Sequence, residues 1–150
     1  MILLDDHLVR DLVAGELPSE VAEPEDEFAT TNLWLVRLAG ALTRQGISGS
    51  LSGSIKGLGE ADAMRFRQYL TERMELLTVV SMRELVWPIA ELQQRHRAAG
   101  HLLSTAMAEV LAAAHALGAT IAVAEDDVGP GLQAAAAADG VPFRVVARES

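Results

Sequence analysis

Short apolar runs alternate along this chain with longer stretches in which apolar residues recur at helical spacing. The runs at residues 2–4, 76–80, 120–124 and 143–147 have the length and apolar content of buried strands. Strands that alternate with helices form parallel sheets that helices cover on both faces. The pattern therefore predicts an α/β fold with three layers, α/β/α, around a central, mostly parallel sheet of four to five strands.

Six helices are predicted from apolar residues at steps of three and four, from capping residues and from terminating glycines. They are residues 6–14 closed by Gly15, a helix capped by Thr31 or Asn32, residues 60–74, a helix opened by Ser81, a helix with the stripe from Leu103 to Leu117, and residues 130–138. Ser81 and Glu84 have the spacing of a capping box, and Pro88 is expected to kink that helix or to mark its true start.

Two segments predict connections between packed elements. Residues 47–59 are rich in Gly and Ser and indicate a loop or a broken helix, without the Gly-Lys-Ser/Thr ending of a phosphate-binding loop. Residues 16–27 carry much of the negative charge and contain two prolines. We interpret this acidic segment as a solvated linker, with a docking strip for a basic partner as the alternative.

Composition and charge limit the function classes. The net charge of −9, from 21 acidic and 12 basic residues, argues against a broad nucleic-acid interface, which needs a basic face. Cysteine is absent, which excludes disulfides, thiolate zinc sites and cysteine nucleophiles. The length fits one domain spanning residues 1–150. No signal peptide is expected, and the longest uncharged apolar stretch, 110–124, is too short to cross a bilayer, so a cytoplasmic protein is expected.

Two of the predicted strands end in acids. Asp5 and Asp6 follow the first strand, and Glu125, Asp126 and Asp127 follow the strand at 120–124. The carboxyl ends of parallel strands share one edge of the sheet, where open α/β folds place their ligands. Converging carboxylates provide the oxygen ligands that Mg²⁺ and Mn²⁺ prefer, so this edge is the candidate metal site.

The order of elements resembles the PIN domain family, whose best-known members are VapC-type toxin ribonucleases. The resemblance runs along nearly the whole chain and is clearest over residues 74–146, where a small-residue helix ending Leu117-Gly118-Ala119-Thr120 leads into the acid-tipped strand. The opening MILLDDH is also similar to the family's first strand and first acid. PIN nucleases bring three or four acids together around divalent metal, which activates water and stabilises the charge that develops on the phosphate.

Carried over residue by residue, the family pattern implies a site in which two of the four positions hold acids and two do not. Asp5 matches the first acid, and Glu125, or Asp127 if the turn shifts, matches the fourth. The second position falls on Arg37 and the third on Met107. Methionine offers no hard oxygen ligand. An inward arginine brings positive charge to the place of the metal, and it is expected to pair with Asp5 or Glu125.

These substitutions imply a PIN-like protein with an eroded metal site, which acts as a non-catalytic binding or regulatory module. The alternative is a Mg²⁺- or Mn²⁺-dependent endoribonuclease of the toxin type, with Asp5, Glu125 and Asp127 as catalytic residues and metal ligands. A third interpretation is an unrelated doubly wound domain of receiver or nucleotide-binding type, which a non-central first strand would favour. The resemblance also implies a homodimer through helical faces, a small antitoxin-type partner, and RNA.

Other polar residues near the acids are expected to be structural. Glu109 lies two positions after Met107, about 200° around an ideal helix, and is predicted to be a surface acid that faces away from it. Asp6 and Asp126 are expected to stabilise local backbone. His7 is predicted to be an exposed residue at a helix start, with an acid–base role as the alternative.

Basic residues cluster at Arg95-His96-Arg97, with His101 close by. This basic patch is expected to complement the end of its helix, with contact to RNA phosphates or to an acidic partner as the alternative. His115 falls in an apolar helix and is expected to be packed or half-exposed. Trp34 and Trp87 lie near helical apolar stripes, which predicts core or interface positions.

Overall fold

A computed structural model describes residues 1–43, 64, 67–69, 71–72 and 74–148 of the chain. The predicted connection at residues 47–59 lies outside the described residues, and so does most of the helix predicted at 60–74. Residues 64, 67–69 and 71–72 are helical. Within the described ranges, no helix has both the length and the apolar character to cross a membrane.

Five parallel strands form the central sheet of the described part of the chain. They are β1 (Ile2–Leu4), β2 (Phe28–Thr30), β3 (Leu77–Val79), β4 (Thr120–Ala124) and β5 (Phe143–Val146), in the order β3-β2-β1-β4-β5. β1 is central, and Leu4 pairs in register with Ala122 of β4. The arrangement confirms the predicted α/β fold with a parallel sheet.

The described ranges contain five helices of two turns or more. They are α1 (Asp6–Ala14), α2 (Asn32–Thr43), α3 (Met82–Ala98), α4 (Thr105–Leu117) and α5 (Pro130–Ala138), and single 3₁₀ turns lie at Met74–Leu76 and Glu125–Asp127. Gly118 ends α4 in the left-handed conformation, with φ of 60°, as predicted. Thr31 caps α2, because its hydroxyl accepts a hydrogen bond from the Trp34 N–H at 3.2 Å.

The core lies on both faces of the sheet. Leu3 packs on one face with buried side chains of α3, α4 and α5, among them Leu85 and Leu111. Its neighbours Ile2 and Leu4 pack on the other face with side chains of α1 and α2. Since successive strand residues point to opposite faces, this division confirms the three predicted layers.

The strand β2 was not predicted. Its residues, Phe28–Thr30, follow directly on the acidic segment and include a single large apolar side chain. Parallel pairing with β1 and β3 holds it, together with a 2.8 Å hydrogen bond from the Thr30 hydroxyl to the Leu4 carbonyl oxygen. Tertiary pairing therefore makes a strand where the local apolar content is too low to indicate one.

The predicted capping box at the start of α3 is wrong. The Ser81 side chain makes no capping hydrogen bond, and the Glu84 N–H bonds instead to the Ser81 backbone oxygen at 2.9 Å. α3 begins at Met82 and continues past Pro88, so Pro88 does not mark the helix start.

Candidate functional site

The acid-tipped strands β1 and β4 are neighbours and end at the same carboxyl edge of the sheet. α1 follows β1 directly, and the turn Glu125–Asp127 follows β4 directly. Between them lies a cavity of about 170 Å³, the Asp6 pocket, whose polar wall residues are Asp5, Asp6, Arg37, Ser104 and Asp127. Its apolar wall residues are Trp34, Ala106, Met107, Val110, Val123 and Leu132.

Asp5 is 2 % exposed and is held between two backbone segments. Its Oδ1 accepts a hydrogen bond from the Leu8 N–H of α1, and its Oδ2 accepts one from the Ala124 N–H at the end of β4, both at 2.9 Å. Burial raises the pKa of Asp5 to about 7, although these two hydrogen bonds act to lower it. Asp5 therefore fixes the geometry where β1, α1 and β4 meet.

Arg37 of α2 bridges two acids of the pocket. Its Nε lies 3.0 Å from Asp6 Oδ2, and its Nη2 donates a hydrogen bond to Asp127 Oδ2. Burial raises the pKa of Asp6, even though the Arg37 charge acts to lower it. Arg37 thus has Asp6 and Asp127 as partners instead of the expected Asp5 or Glu125. The two Asp5 oxygens already accept backbone N–H groups, and Glu125 is exposed.

The imidazole of His7 is buried beside the same acids, so the expectation of an exposed histidine is wrong. Its Nε2 lies 3.7 Å from Asp127 Oδ2, and its Nδ1 lies 3.0 Å from Arg148 Nη1. Asp6, His7 and Asp127 each offer a possible metal-ligand atom within 4.8 Å of the others. His7 is buried because the first turn of α1 lies between the ends of β1 and β4, where the acids and Arg148 surround it.

A second arginine, Arg148, follows β5 and neutralises further acids at this edge. Its Nε and Nη2 donate to the two Asp11 oxygens at 2.7 and 2.9 Å, and its Nη1 donates to Asp126 Oδ2 at 2.8 Å. The hydrogen bond to Asp11 raises the pKa of Arg148 against the effect of burial. Sequence reasoning missed Arg148 and Asp11 and expected Asp126 to stabilise local backbone. The sequence signal that could have identified Arg148 is its position just after the last strand. Because β5 lies beside β4 in the parallel sheet, the carboxyl ends of the two strands meet at the same edge.

Of the remaining predicted positions, one lies in the pocket and one does not. Met107 belongs to the apolar wall and packs closely on Gly129, where a Cβ would lie 2.9 Å from the Met107 methyl carbon. Glu125 is exposed and does not line the pocket. The structure therefore leaves Glu125 outside the group that the other predicted site residues form.

Glu109, predicted to be a surface acid, is fully buried in α4. Its Oε2 accepts hydrogen bonds from the backbone N–H and the side-chain amide of Asn32, both at 2.8 Å, and its Oε1 accepts one from the Leu33 N–H at 2.9 Å. A carboxylate at the first N–H groups of a helix is favourable. Glu109 therefore anchors the start of α2, the helix that carries Arg37.

The contacts around these acids bear on whether they could hold Mg²⁺ or Mn²⁺ through oxygen ligands. Such ions need several carboxylate or carbonyl oxygens around one point. Each oxygen of Asp5 accepts one backbone N–H and keeps a lone pair, whereas Met107 offers no oxygen. The Arg37 guanidinium lies between Asp6 and Asp127. A cation of the chain itself therefore occupies the acid cluster.

At the opposite edge of the sheet, Arg95 and His96 of the basic patch contact an acid of the same chain. Arg95 donates from Nη1 and Nη2 to the two oxygens of Asp139, at 2.7 and 3.0 Å. The buried His96 places its Nε2 3.1 Å from the same carboxylate, and the half-exposed His115 places its Nε2 at 2.8 Å. These contacts, led by the Arg95 hydrogen bonds, hold the pKa of Asp139 well below its usual range. The main partner of the patch is thus an acid of the same chain.

Solved structures share this fold at low sequence identity. The crystal structure of FitAcB from Neisseria gonorrhoeae has a TM-score of 0.60 and 15 % identity, covering 96 % of this chain and 96 % of that chain. The structure of FitAB bound to an IR36 DNA fragment has a TM-score of 0.59 and 13 % identity, covering 97 % and 94 %. No family model matches the chain, and no curated protein matches it. The fold is PIN-like, as the order of elements predicted.

Proposed function

We propose that this chain is a PIN-like protein without catalytic metal chemistry, which acts as a binding or regulatory module. The observation that carries the proposal is the Arg37 guanidinium, which bridges Asp6 and Asp127 where a metal ion would need those carboxylates. Arg148 brings a second positive charge to the same edge. Two arginines therefore supply within the chain the charge that divalent metal supplies in a PIN nuclease.

Electrostatics opposes a metal ion while Arg37 is in place. A divalent ion about 4 Å from the guanidinium would be repelled by roughly 8 kcal/mol at an effective dielectric constant of about 20. Arg37 is 46 % exposed, so solvent screens part of this repulsion and the side chain has room to swing out. Swinging out would break the hydrogen bond to Asp127 and leave Asp6 buried without its charge partner. Metal binding would have to offset both losses.

Metal-dependent RNA cleavage tests this proposal. We expect Mg²⁺ and Mn²⁺ to give no RNA cleavage above the metal-free rate, and MnCl₂ to raise the thermal unfolding temperature little. Arg37→Gln removes the bridging charge and is expected to increase the stabilisation by MnCl₂, whereas Arg97→Gln, at an exposed arginine elsewhere, leaves it unchanged. Cleavage by the wild type that Mn²⁺ stimulates and that Asp127→Asn abolishes would overturn the proposal.

The second candidate is a Mg²⁺- or Mn²⁺-dependent endoribonuclease of the toxin type, with Asp5, Glu125 and Asp127 at its centre. The observation in its favour is the group of possible ligand atoms on Asp6, His7 and Asp127 within 4.8 Å. FitAB, which has the same fold, is a toxin–antitoxin pair with a PIN-domain toxin. This candidate needs an ionised Asp5, so RNA cleavage that survives Asp5→Asn would exclude it.

We also propose that the chain forms a homodimer through α3. Trp87 and Val86 are 77 % and 54 % exposed, beside an apolar groove between α3 and α4. Arg83 and Glu91 lie one helical turn before and after Trp87, on the same exposed face. In an antiparallel contact of two α3 helices around a twofold axis at Trp87, Arg83 of one copy faces Glu91 of the other.

Light scattering during size-exclusion chromatography tests the homodimer. The wild type is expected to have a dimer mass, and Trp87→Glu a monomer mass. Arg83→Glu is expected to weaken the dimer, and adding Glu91→Arg is expected to restore it. A monomeric wild type, or a Trp87→Glu variant that stays dimeric, would contradict this contact.

A small antitoxin-type protein is a further proposed partner, supported by the likeness to FitAB. Co-purification with the product of a small adjacent gene tests it. RNA is the remaining partner that the resemblance implies. The net charge of −9 and the pairing of Arg95 with Asp139 leave few cationic side chains for phosphates, which favours weak RNA binding with a shallow dependence on salt concentration.

A further inference from the structure

Two imidazoles meet at the end of α3, at the edge of the sheet opposite the Asp6 pocket. His96 lies in the last turn of α3, and His101 lies in the connection that leads to α4. Their Nδ1 atoms are 3.4 Å apart, and their ring centroids are 5.7 Å apart. This centroid distance is close to the longest that the nitrogen contact allows, so both Nδ1 atoms lie near the line that joins the rings. Each Nδ1 therefore directs its lone pair, or its hydrogen, at the other.

The contact between the two Nδ1 atoms has room for one hydrogen. Hydrogens on both atoms would collide, and without any hydrogen two lone pairs would face each other. The distance of 3.4 Å is longer than that of an ordinary N–H···O hydrogen bond, about 2.7–3.2 Å, so the shared hydrogen joins the two rings weakly. An ion that prefers two opposed nitrogen ligands can therefore replace it at little cost.

Asp139 prepares His96 to bind an ion through Nδ1. His96 Nε2 lies 3.1 Å from Asp139 Oδ1, close enough for attraction, although its N–H is not aligned for a full hydrogen bond. This attraction favours the tautomer with the hydrogen on Nε2, which leaves the Nδ1 lone pair free. A carboxylate behind a metal-binding histidine fixes its tautomer and its ring orientation. His96 is also 2 % exposed, so neighbouring side chains hold its ring in place.

His101 is the ligand that can adjust. Metal–imidazole bonds of about 2.0 Å put two opposed nitrogens about 4 Å apart, so the rings must separate by roughly 0.6 Å. His101 is half-buried and belongs to the short connection at residues 99–104, whereas His96 is fixed in a helix. The separation is therefore achieved by an outward movement of the His101 ring.

Charge and geometry select a monovalent ion. The negative end of the α3 dipole favours a cation near His96. Arg95 and Arg97 flank His96 in the sequence, and their charges repel a divalent ion twice as strongly as a monovalent one. Zn²⁺ also takes four ligands in a tetrahedron, whereas Cu⁺ and Ag⁺ accept two nitrogen ligands on opposite sides. Two opposed imidazole nitrogens therefore fit an ion of the Cu⁺ type.

We propose that His96 and His101 bind one Cu⁺ ion in linear coordination through their Nδ1 atoms, with Asp139 orienting His96. The ion replaces the hydrogen between the rings. His101 keeps that hydrogen by carrying it on Nε2 instead, so binding releases no proton. The site lies at the opposite edge from the Asp6 pocket and does not rest on the function proposed for that pocket.

Ag⁺ is the probe, because it shares the linear preference of Cu⁺ and is stable in air. AgNO₃ is titrated into the ¹⁵N-labelled protein in chloride-free buffer, and the imidazole nitrogens are followed by long-range ¹H–¹⁵N NMR. We expect the Nδ1 resonances of His96 and His101 to shift together, to saturate at one ion per chain and to show coupling to silver. Cu⁺ added without oxygen is expected to shift the same two nitrogens.

Three variants locate the binding. His101→Gln is expected to abolish the response at His96, because one imidazole provides no opposed pair. Asp139→Asn is expected to weaken Ag⁺ binding by roughly tenfold or more, the usual effect of removing the partner of a ligating histidine. Met64→Leu is the control: it removes a competing thioether at a residue that is 59 % exposed and should leave the imidazole response unchanged. Circular dichroism and thermal unfolding establish that each variant folds, and Asp139→Asn carries the test if His101→Gln does not fold.

The inference is overturned if the two Nδ1 resonances do not respond together, or if the response at His96 persists in His101→Gln. Zn²⁺ is titrated in parallel. A stronger response to Zn²⁺ than to Ag⁺ also overturns the inference, because Zn²⁺ would need more than these two ligands. None of these outcomes depends on RNA cleavage, so failure of the ion site is distinguishable from failure of the proposed function.

Discussion

The two edges of the sheet both gather acids and bases, but in opposite proportions. At the carboxyl edge, Arg37 is shared between Asp6 and Asp127, and Arg148 is shared between Asp11 and Asp126. At the opposite edge, Asp139 alone receives Arg95 and two imidazoles. At one edge, two acids share each of these arginines, whereas at the other edge three basic side chains share one acid.

The pKa values follow this difference. Burial raises the pKa of Asp5 to about 7 and raises that of Asp6 as well, whereas the Arg95 hydrogen bonds hold the pKa of Asp139 below its usual range. Burial thus disfavours the ionised forms of Asp5 and Asp6, whereas the Arg95 hydrogen bonds favour the ionised form of Asp139. Burial therefore dominates at the acids of the carboxyl edge, and pairing dominates at the acid of the opposite edge.

Asp5→Asn tests the comparison with the largest expected effect. The folded-state pKa of Asp5 is raised, so above the unfolded-state pKa of about 3.9 the folded protein keeps a proton that the unfolded chain has lost. This group therefore lowers the free energy of unfolding as the pH rises from about 4 to about 7, by on the order of 4 kcal/mol. We expect urea unfolding at several pH values to show that the variant lacks this decline.

Asparagine cannot accept both backbone hydrogen bonds of Asp5, so the variant is expected to be less stable than the wild type at low pH. The informative quantity is the difference in pH slope between the two proteins. Glu20→Gln, at an exposed acid, is the matched control and should leave the slope unchanged. Parallel profiles for Asp5→Asn and the wild type would show that burial at the carboxyl edge does not hold a proton.

Glu109→Ala is expected to have the next largest effect. The substitution leaves the N–H groups of Asn32 and Leu33 without their acceptor and opens a cavity in α4, which should lower the free energy of unfolding by about 3 kcal/mol. Glu109→Gln keeps an acceptor and the volume, so about half that loss is expected. Equal losses for both variants would show that the charge at the start of α2, and not the hydrogen bonding, is what stabilises it.

Arg148→Gln tests how much the second arginine of the carboxyl edge contributes to stability. Asp11 is 6 % exposed in its side chain and would be left without its two hydrogen bonds from Arg148, so we expect a loss of about 2 kcal/mol in urea unfolding. Arg148→Lys keeps the charge without the planar fork and should lose less. A neutral result for Arg148→Gln would mean that Arg37 alone balances this edge.

Local patterns in the sequence were sufficient for most of the fold and for part of the site. Apolar runs located β1 and β4 with their acids, and the family pattern located Arg37 and Met107, which line the pocket. The residues that were missed have distant partners: Glu109 bonds to Asn32 across 77 positions, and Arg148 bonds to Asp11 across 137. A charged residue in a helix or after a strand predicts a surface position unless its partner is known, so no local pattern identifies such pairs.

Asp139→Asn is expected to have the smallest effect, with the opposite pH dependence to Asp5→Asn. Arg95 is 58 % exposed, so solvent screens its pair with Asp139, and we expect a loss of about 1 kcal/mol at neutral pH. Because the folded-state pKa of Asp139 is lowered, its contribution is present above the unfolded-state pKa of about 3.9 and is lost as the pH falls through the folded-state value. The difference between wild type and Asp139→Asn should therefore shrink in acid, whereas the contribution of Asp5 changes between about pH 4 and pH 7. The contrary result would be that urea unfolding gives contributions of Asp5 and Asp139 to the free energy of unfolding that change in the same direction with pH. In that case, the two edges do not differ in charge balance as their contacts imply.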